Sequence, residues 1–153
     1  MGIDDIETTK NVKSFFESDF WHYVQQGGIH PNQLSSPQLD GISAHTNING
    51  LESSLINQMN KADRAQYLAT TILIALFDCS DFEYERHKTI MHRLFVKHMT
   101  QEQVCISLNF SQYQLRKQLT LGCIEFAERL NYWRIKRDAT ELPNLIVEKT
   151  NDI

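Results

Sequence analysis

KHMTQEQVCISLNFSQYQLRKQLTLGCIEFAERL, residues 97–130, decides the fold. Thr100 can accept a backbone N–H from Glu102 or Gln103, and Gln103 stands three residues beyond it, the spacing of a capping box. The short helix so begun has Val104, Cys105 and Leu108 as its apolar groups. Asn109-Phe110-Ser111 then reads as a turn, and Ser111 as the cap of a second helix from about Gln112 to Leu130. Leu115, Leu119, Cys123, Ile124, Phe126, Ala127 and Leu130 form its inward side. Leu108 and Phe110 bracket the turn and hold the two helices at a steep angle.

Working outward, residues 5–25 place Val12, Phe15, Phe16, Phe20, Tyr23 and Val24 at three- and four-residue spacing, which predicts a helix ended by Gly27-Gly28. A long loop follows to about residue 50. Leu51 to Phe77 predicts a helix with Leu51, Leu55, Ile56, Met59, Tyr67, Leu68, Thr71, Ile72, Ala75 and Leu76 on one stripe; its second half, apolar nearly all round, predicts burial on several sides. Asp81 is expected to cap a helix running from about Phe82 to His98. In the tail Pro143 breaks the helical pattern, and Leu145, Ile146 and Val147 suit a short strand or an extended arm packed on the core. The reading is all-α: a helical N-terminal region, 1–83, a helix-turn-helix domain, 84–137, and a tail, 138–153.

Charge divides along the same lines. Residues 1–83 hold four basic and eleven acidic side chains, a net of −7; residues 84–137 hold ten basic and four acidic, a net of +6; the tail adds −3, which gives the chain its −4. A basic block beside an acidic one predicts that one segment faces a polyanion. Met1 to Lys13 lacks the parts of a secretory signal, and the longest apolar run, Ile72 to Phe77, falls far short of the roughly 20 residues of a membrane span. A cytoplasmic location is expected. Cys79, Cys105 and Cys123 are too widely spaced for a metal knuckle or redox pair and read as buried free thiols. His87, His92 and His98 share no helix face, so they read as solvent- or phosphate-facing, with no metal site and no cofactor.

In a helix-turn-helix the first turns of the second helix enter the major groove. There Gln112, Tyr113, Gln114 and Arg116 are expected to meet base edges, since Gln pairs with adenine and Arg with guanine. Lys117, with Arg93 and Lys97, suits phosphates, and Arg134, Lys136 and Arg137 extend those contacts. The expected partner is double-stranded promoter DNA, in company with RNA polymerase or a second copy of the chain. A protein-binding adaptor built on the same amphipathic helices is the other reading. No nucleophile-and-base pair or Gly-rich phosphate cradle stands out, so no enzyme and no catalytic residue is expected.

The pattern resembles the ArpU family of phage and prophage transcriptional regulators. TTKNVKSFF, residues 8–16, is similar to the family's opening helix, LSSPQLDG, residues 34–41, to its Ser-Pro turn, and NGLESSL, residues 49–55, to the start of its central helix. MTQEQVCISLNFSQYQLRKQLTLGCIEFAERL, residues 99–130, is similar to its capped helix, turn and recognition helix. Gln112, Tyr113 and Gln114 lead the second helix where such proteins place Ser or Thr and aromatic residues before basic ones, and Gly122 stands where Ala is typical. The resemblance implies a C-terminal domain like the fourth region of sigma factors, binding at a promoter, and activation of late, lysis or packaging genes.

Overall fold

A computed structural model of the chain describes residues 2–37 and 53–150, with the side chains of residues 53–59 left aside. Leu51, the side chains of the other expected stripe residues Leu55, Ile56 and Met59, and residues 38–50 of the expected loop therefore lie outside the described set. The architecture is all-α, and among the described residues extended pairing is confined to two isolated bridges, Ile3 with Glu148 and Phe82 with Glu85.

The opening apolar repeat makes two helices where one is expected. In α1, Asp5–Glu17, Asp4 Oδ1 accepts the Glu7 N–H at 3.0 Å and caps the first turn. Ser18, at φ −129° and ψ −65°, leaves helical geometry, and α2 resumes at Asp19–Gln26. The break lets Val12, Phe15 and Phe16 of α1 face one part of the core while Phe20 and Val24 of α2 face another. Gly27 ends α2 against the next long helix: a Cβ there would stand 2.9 Å from Gln66 Cγ, so only glycine lets the chain pass this close. A short 3₁₀ turn, Pro31–Gln33, follows.

That long helix, α3, Ser53–Phe77, is surrounded on several sides as its sequence predicts. Ala69, Ile72, Leu73, Ala75 and Leu76 have no exposed surface, and Thr71, equally buried, returns its hydroxyl to Tyr67 O at 2.8 Å. The segment after it corrects the expected helix start. Residues 82–85 form a tight hairpin, and the next helix, α4, opens only at His87–Met91. Asp81 accepts from side chains, Thr89 Oγ1 at 2.7 Å and Arg86 Nε at 2.9 Å, while the Lys88 N–H goes to Ser80 O at 3.0 Å. The helix continues as a π turn, His92–Val96, before α5, Gln101–Leu108, and α6, Gln112–Lys136.

α6 organises the molecule, packing against α1, α3, α4 and α5. One buried cluster runs from Val12 and Phe16 through Ile72, Ile90 and Val104 to Phe126 and Leu145, crossing the boundary between the acidic and basic blocks. Phe16 sits at its centre, with ring centroids 4.8 Å from Phe126, 4.9 Å from Phe95 and 5.5 Å from Phe20. Gly122 is where α4 and α6 touch, with His87 Cβ only 3.2 Å from the place a Cβ would take. Beside it, Glu125 gathers the His87 Nδ1–H at 2.8 Å and the N–H and hydroxyl of Ser80, each at 2.9 Å. Burial works to raise the Glu125 pKa, yet these bonds hold it below the usual carboxylate value.

The tail is an extended arm, not a strand. Ala139, Leu142 and Leu145 are buried, and Val147 meets α1 through the Asp4 N–H at 2.7 Å and Thr8 Oγ1 at 3.0 Å. Arg64 of α3 clasps Glu141 with two bonds of 2.6 Å.

Candidate nucleic-acid interface

α5, the turn and α6 are built by reciprocal caps. Thr100 Oγ1 accepts the Gln103 N–H at 3.1 Å while Gln103 Oε1 accepts the Thr100 N–H at 2.9 Å. Ser111 and Gln114 repeat the exchange at 3.1 and 2.8 Å. Between them Asn109 closes α5 in left-handed geometry, φ 57°, a conformation that Asn tolerates better than most residues. Val104 and Cys105 point α5 inward, and Leu115, Leu119, Cys123 and Phe126 do the same for α6.

What remains outside on α6 is a continuous strip. Tyr113, Arg116, Lys117, Thr120 and Leu121 recur at three- and four-residue spacing and line a shallow hollow of about 480 Å³. Tyr113 is 69% and Leu121 45% exposed. Arg116 and Lys117 have no carboxylate within ion-pair distance among the described residues, and the first turn of α6 contains no acid. The positive end of the helix dipole and two uncompensated cations therefore face outward together.

The expected reading residues fare unequally. Gln112, Tyr113 and Arg116 are exposed at the start of the strip. Gln114 is exposed too, but its amide oxygen is held by Ser111. A paired contact with adenine uses that oxygen as well as the NH₂ group, so the cap competes with such a contact. Thr120 and Leu121, absent from the expected set, complete the strip; the same spacing carried one turn past Lys117 reaches them.

The expected phosphate residues divide into two groups. Lys97 and Lys117 are exposed, and Arg93 donates Nη1 to Ser107 Oγ at 2.8 Å, fastening the π turn to α5. Arg134, Lys136 and Arg137 lie at the far end of α6, roughly 33 to 38 Å from Gln112 at 1.5 Å per residue. Arg134 donates Nε to Leu142 O at 2.8 Å. Arg137 donates to Thr71 Oγ1 at 2.8 Å and stacks 4.1 Å over the Tyr67 ring. These two half-buried arginines dock the tail and α3, a role the sequence did not suggest; Lys136 stays exposed.

The reading of the histidines is corrected. His87 is buried on Glu125, with Nε2 unpartnered, and His92 is buried with Nε2 donating to Leu34 O at 2.9 Å. His98 alone of the three is exposed, stacked 5.0 Å from Trp21. All three cysteines are free and buried, with Cys123 pushed up to about 12 by burial. Among the described residues no group of side chains is arranged to hold a metal ion, and no helix is long and apolar enough to cross a membrane. Comparison of the chain with protein families, curated proteins and solved structures finds no match.

Proposed function

We propose that the chain is a sequence-specific DNA-binding regulator of transcription, with the α6 strip as its reading surface. The observation that carries this reading is the strip itself: a capped helix start, free of acids, presenting Tyr113, Arg116, Lys117, Thr120 and Leu121 on the side opposite its buried residues. A major groove about 12 Å wide accepts one helix in this pose. Gln112 and Arg116 then meet base edges, Lys117 and Lys97 meet phosphates, and the Leu121 side chain suits a thymine methyl.

The resemblance to ArpU regulators extends the proposal to a sigma-region-4-like domain and to activation of phage or prophage late, lysis or packaging genes in the cytoplasm. RNA polymerase or a second copy of the chain would then be the protein partner. Ile106 on α5, 74% exposed, favours a second reading, a protein-binding adaptor that touches no DNA.

The test is recovery of bound fragments from total genomic DNA by the full chain and by an Arg116→Ala/Lys117→Ala variant. Enrichment of one promoter by the parent and its loss in the folded variant is the expected result. No enrichment by a folded parent overturns the DNA reading in favour of the adaptor.

A further inference from the structure

A second cationic feature lies on α4 and its π turn. Lys88, His92, Arg93 and Lys97 line one side of a concavity of about 220 Å³, which Ser35 and Phe77 help to close. The π turn is what assembles it. Nine residues separate Lys88 from Lys97, about two and a half turns of an α-helix, which would put them on opposite faces. The wider i→i+5 turn, seen in the Lys97 N–H donating to His92 O at 3.0 Å, swings Lys97 round to the side of Lys88.

The positive charge gathered there is poorly balanced. Asp81 approaches Lys88 Nζ at 3.4 Å but already serves Arg86 at 2.9 Å. Among the described residues Arg93 donates only to the neutral Ser107, and Lys97 has no carboxylate in reach. His92 registers the crowding: burial first, then Lys97, Lys88 and Arg93, lower its pKa against the opposing pull of the Leu34 carbonyl. Lys88 shares Asp81 with Arg86 and lies 4.9 Å over the Phe77 ring, so four basic groups face one carboxylate and the hollow keeps a net positive potential.

We infer that this concavity is an oxyanion site that takes a phosphate group. The basic donors lining it stand on the continuous helix of α4 and its π turn, and Ser35 adds a hydroxyl from a separate segment. Several cationic groups on one wall match the higher charge of a phosphate better than the single charge of a carboxylate. The phosphate can belong to the DNA backbone, in which case the inference rests on the DNA reading of α6, or to a free phosphate-bearing ligand.

The experiment compares the full chain with a Lys88→Gln variant, and with Lys88→Met should that one fail to fold; Lys97, a phosphate contact of the α6 reading in its own right, is left in place. Two readouts are taken: the salt dependence of DNA binding, and the His92 ring NMR signals during titration with inorganic phosphate. A slope of log K against log salt reduced by about one places a backbone phosphate in the site. An unchanged slope, with a saturable His92 shift that the variant loses, supports a free phosphate ligand. Neither change, in a parent that binds DNA, overturns the site and leaves the α6 reading standing. A saturable shift in a parent that binds no DNA supports the site and overturns the α6 reading.

Discussion

Gln112 and Gln114 are the same amino acid two positions apart at the mouth of α6, and the structure gives them different work. Gln114 is occupied by the Ser111 cap, whereas among the described residues no hydrogen bond holds the exposed Gln112 side chain. Gln114→Ala should therefore lower stability, by about 1 kcal/mol for a lost cap exchange, and leave the preferred DNA sequence unchanged. Gln112→Ala should leave stability within about 0.5 kcal/mol, as at other exposed positions, and relax the preference at one base position. Urea unfolding and binding to a randomised site library would check both; a changed base preference in Gln114→Ala would return that residue to the reading surface. The residues best read from sequence are those whose roles are local. Thr100 and Ser111 cap because a hydroxyl meets a backbone N–H three residues on. The docking bonds of Arg134 and Arg137 are not legible there because their partners, Leu142 O and Thr71 Oγ1, are set by how the tail and α3 fold against α6.

At the scale of the element, α4 and α6 are held at a distance that Gly122 determines. Helix propensity alone favours Ala over Gly by about 1 kcal/mol. Here an added methyl would press on His87 Cβ at 3.2 Å and Met91 Cε at 3.4 Å, which offsets that gain. Gly122→Leu should lose about 1 to 3 kcal/mol of stability through overpacking, measurable as a fall in urea midpoint, and should disturb the His87–Glu125 bond. An unchanged midpoint would mean that α4 can move aside. The helices themselves are largely legible, since the apolar spacing of α1, α3, α5 and α6 finds the core side of each. Two elements are not. Ser18 gives no Gly or Pro signal, so the break between α1 and α2 goes unannounced. The π turn escapes because the sequence is read at 3.6 residues per turn, and that period hides the placing of Lys88 and Lys97 on one concavity.

Across the whole molecule, acid should act against the fold in two stages. The His92 pKa lies below its ordinary value of 6.5, so the unfolded chain takes up the proton first and stability falls as pH drops through that range. Glu125 and Asp81 are held below the ordinary carboxylate range, and Glu141 is brought to about 2 by the hydrogen-bonding Arg64; their contributions are lost further down, as pH falls from about 4 towards 2. Urea midpoints measured between pH 7 and pH 5 should decline in the parent and decline less in His92→Gln, which can still donate to Leu34 O. Equal declines would assign the first stage to another group. The whole is also where charge misleads as a guide to organisation: the acidic and basic blocks share one core, because α1 from the first packs on α6 from the second. That packing has a consequence in time. Synthesis delivers α1 long before α6, and Val12, Phe15 and Phe16 must wait, uncovered, until most of the chain has followed. The nascent chain thus carries a sticky helix for much of its elongation, and its safe production depends on whatever shields that face before α6 arrives.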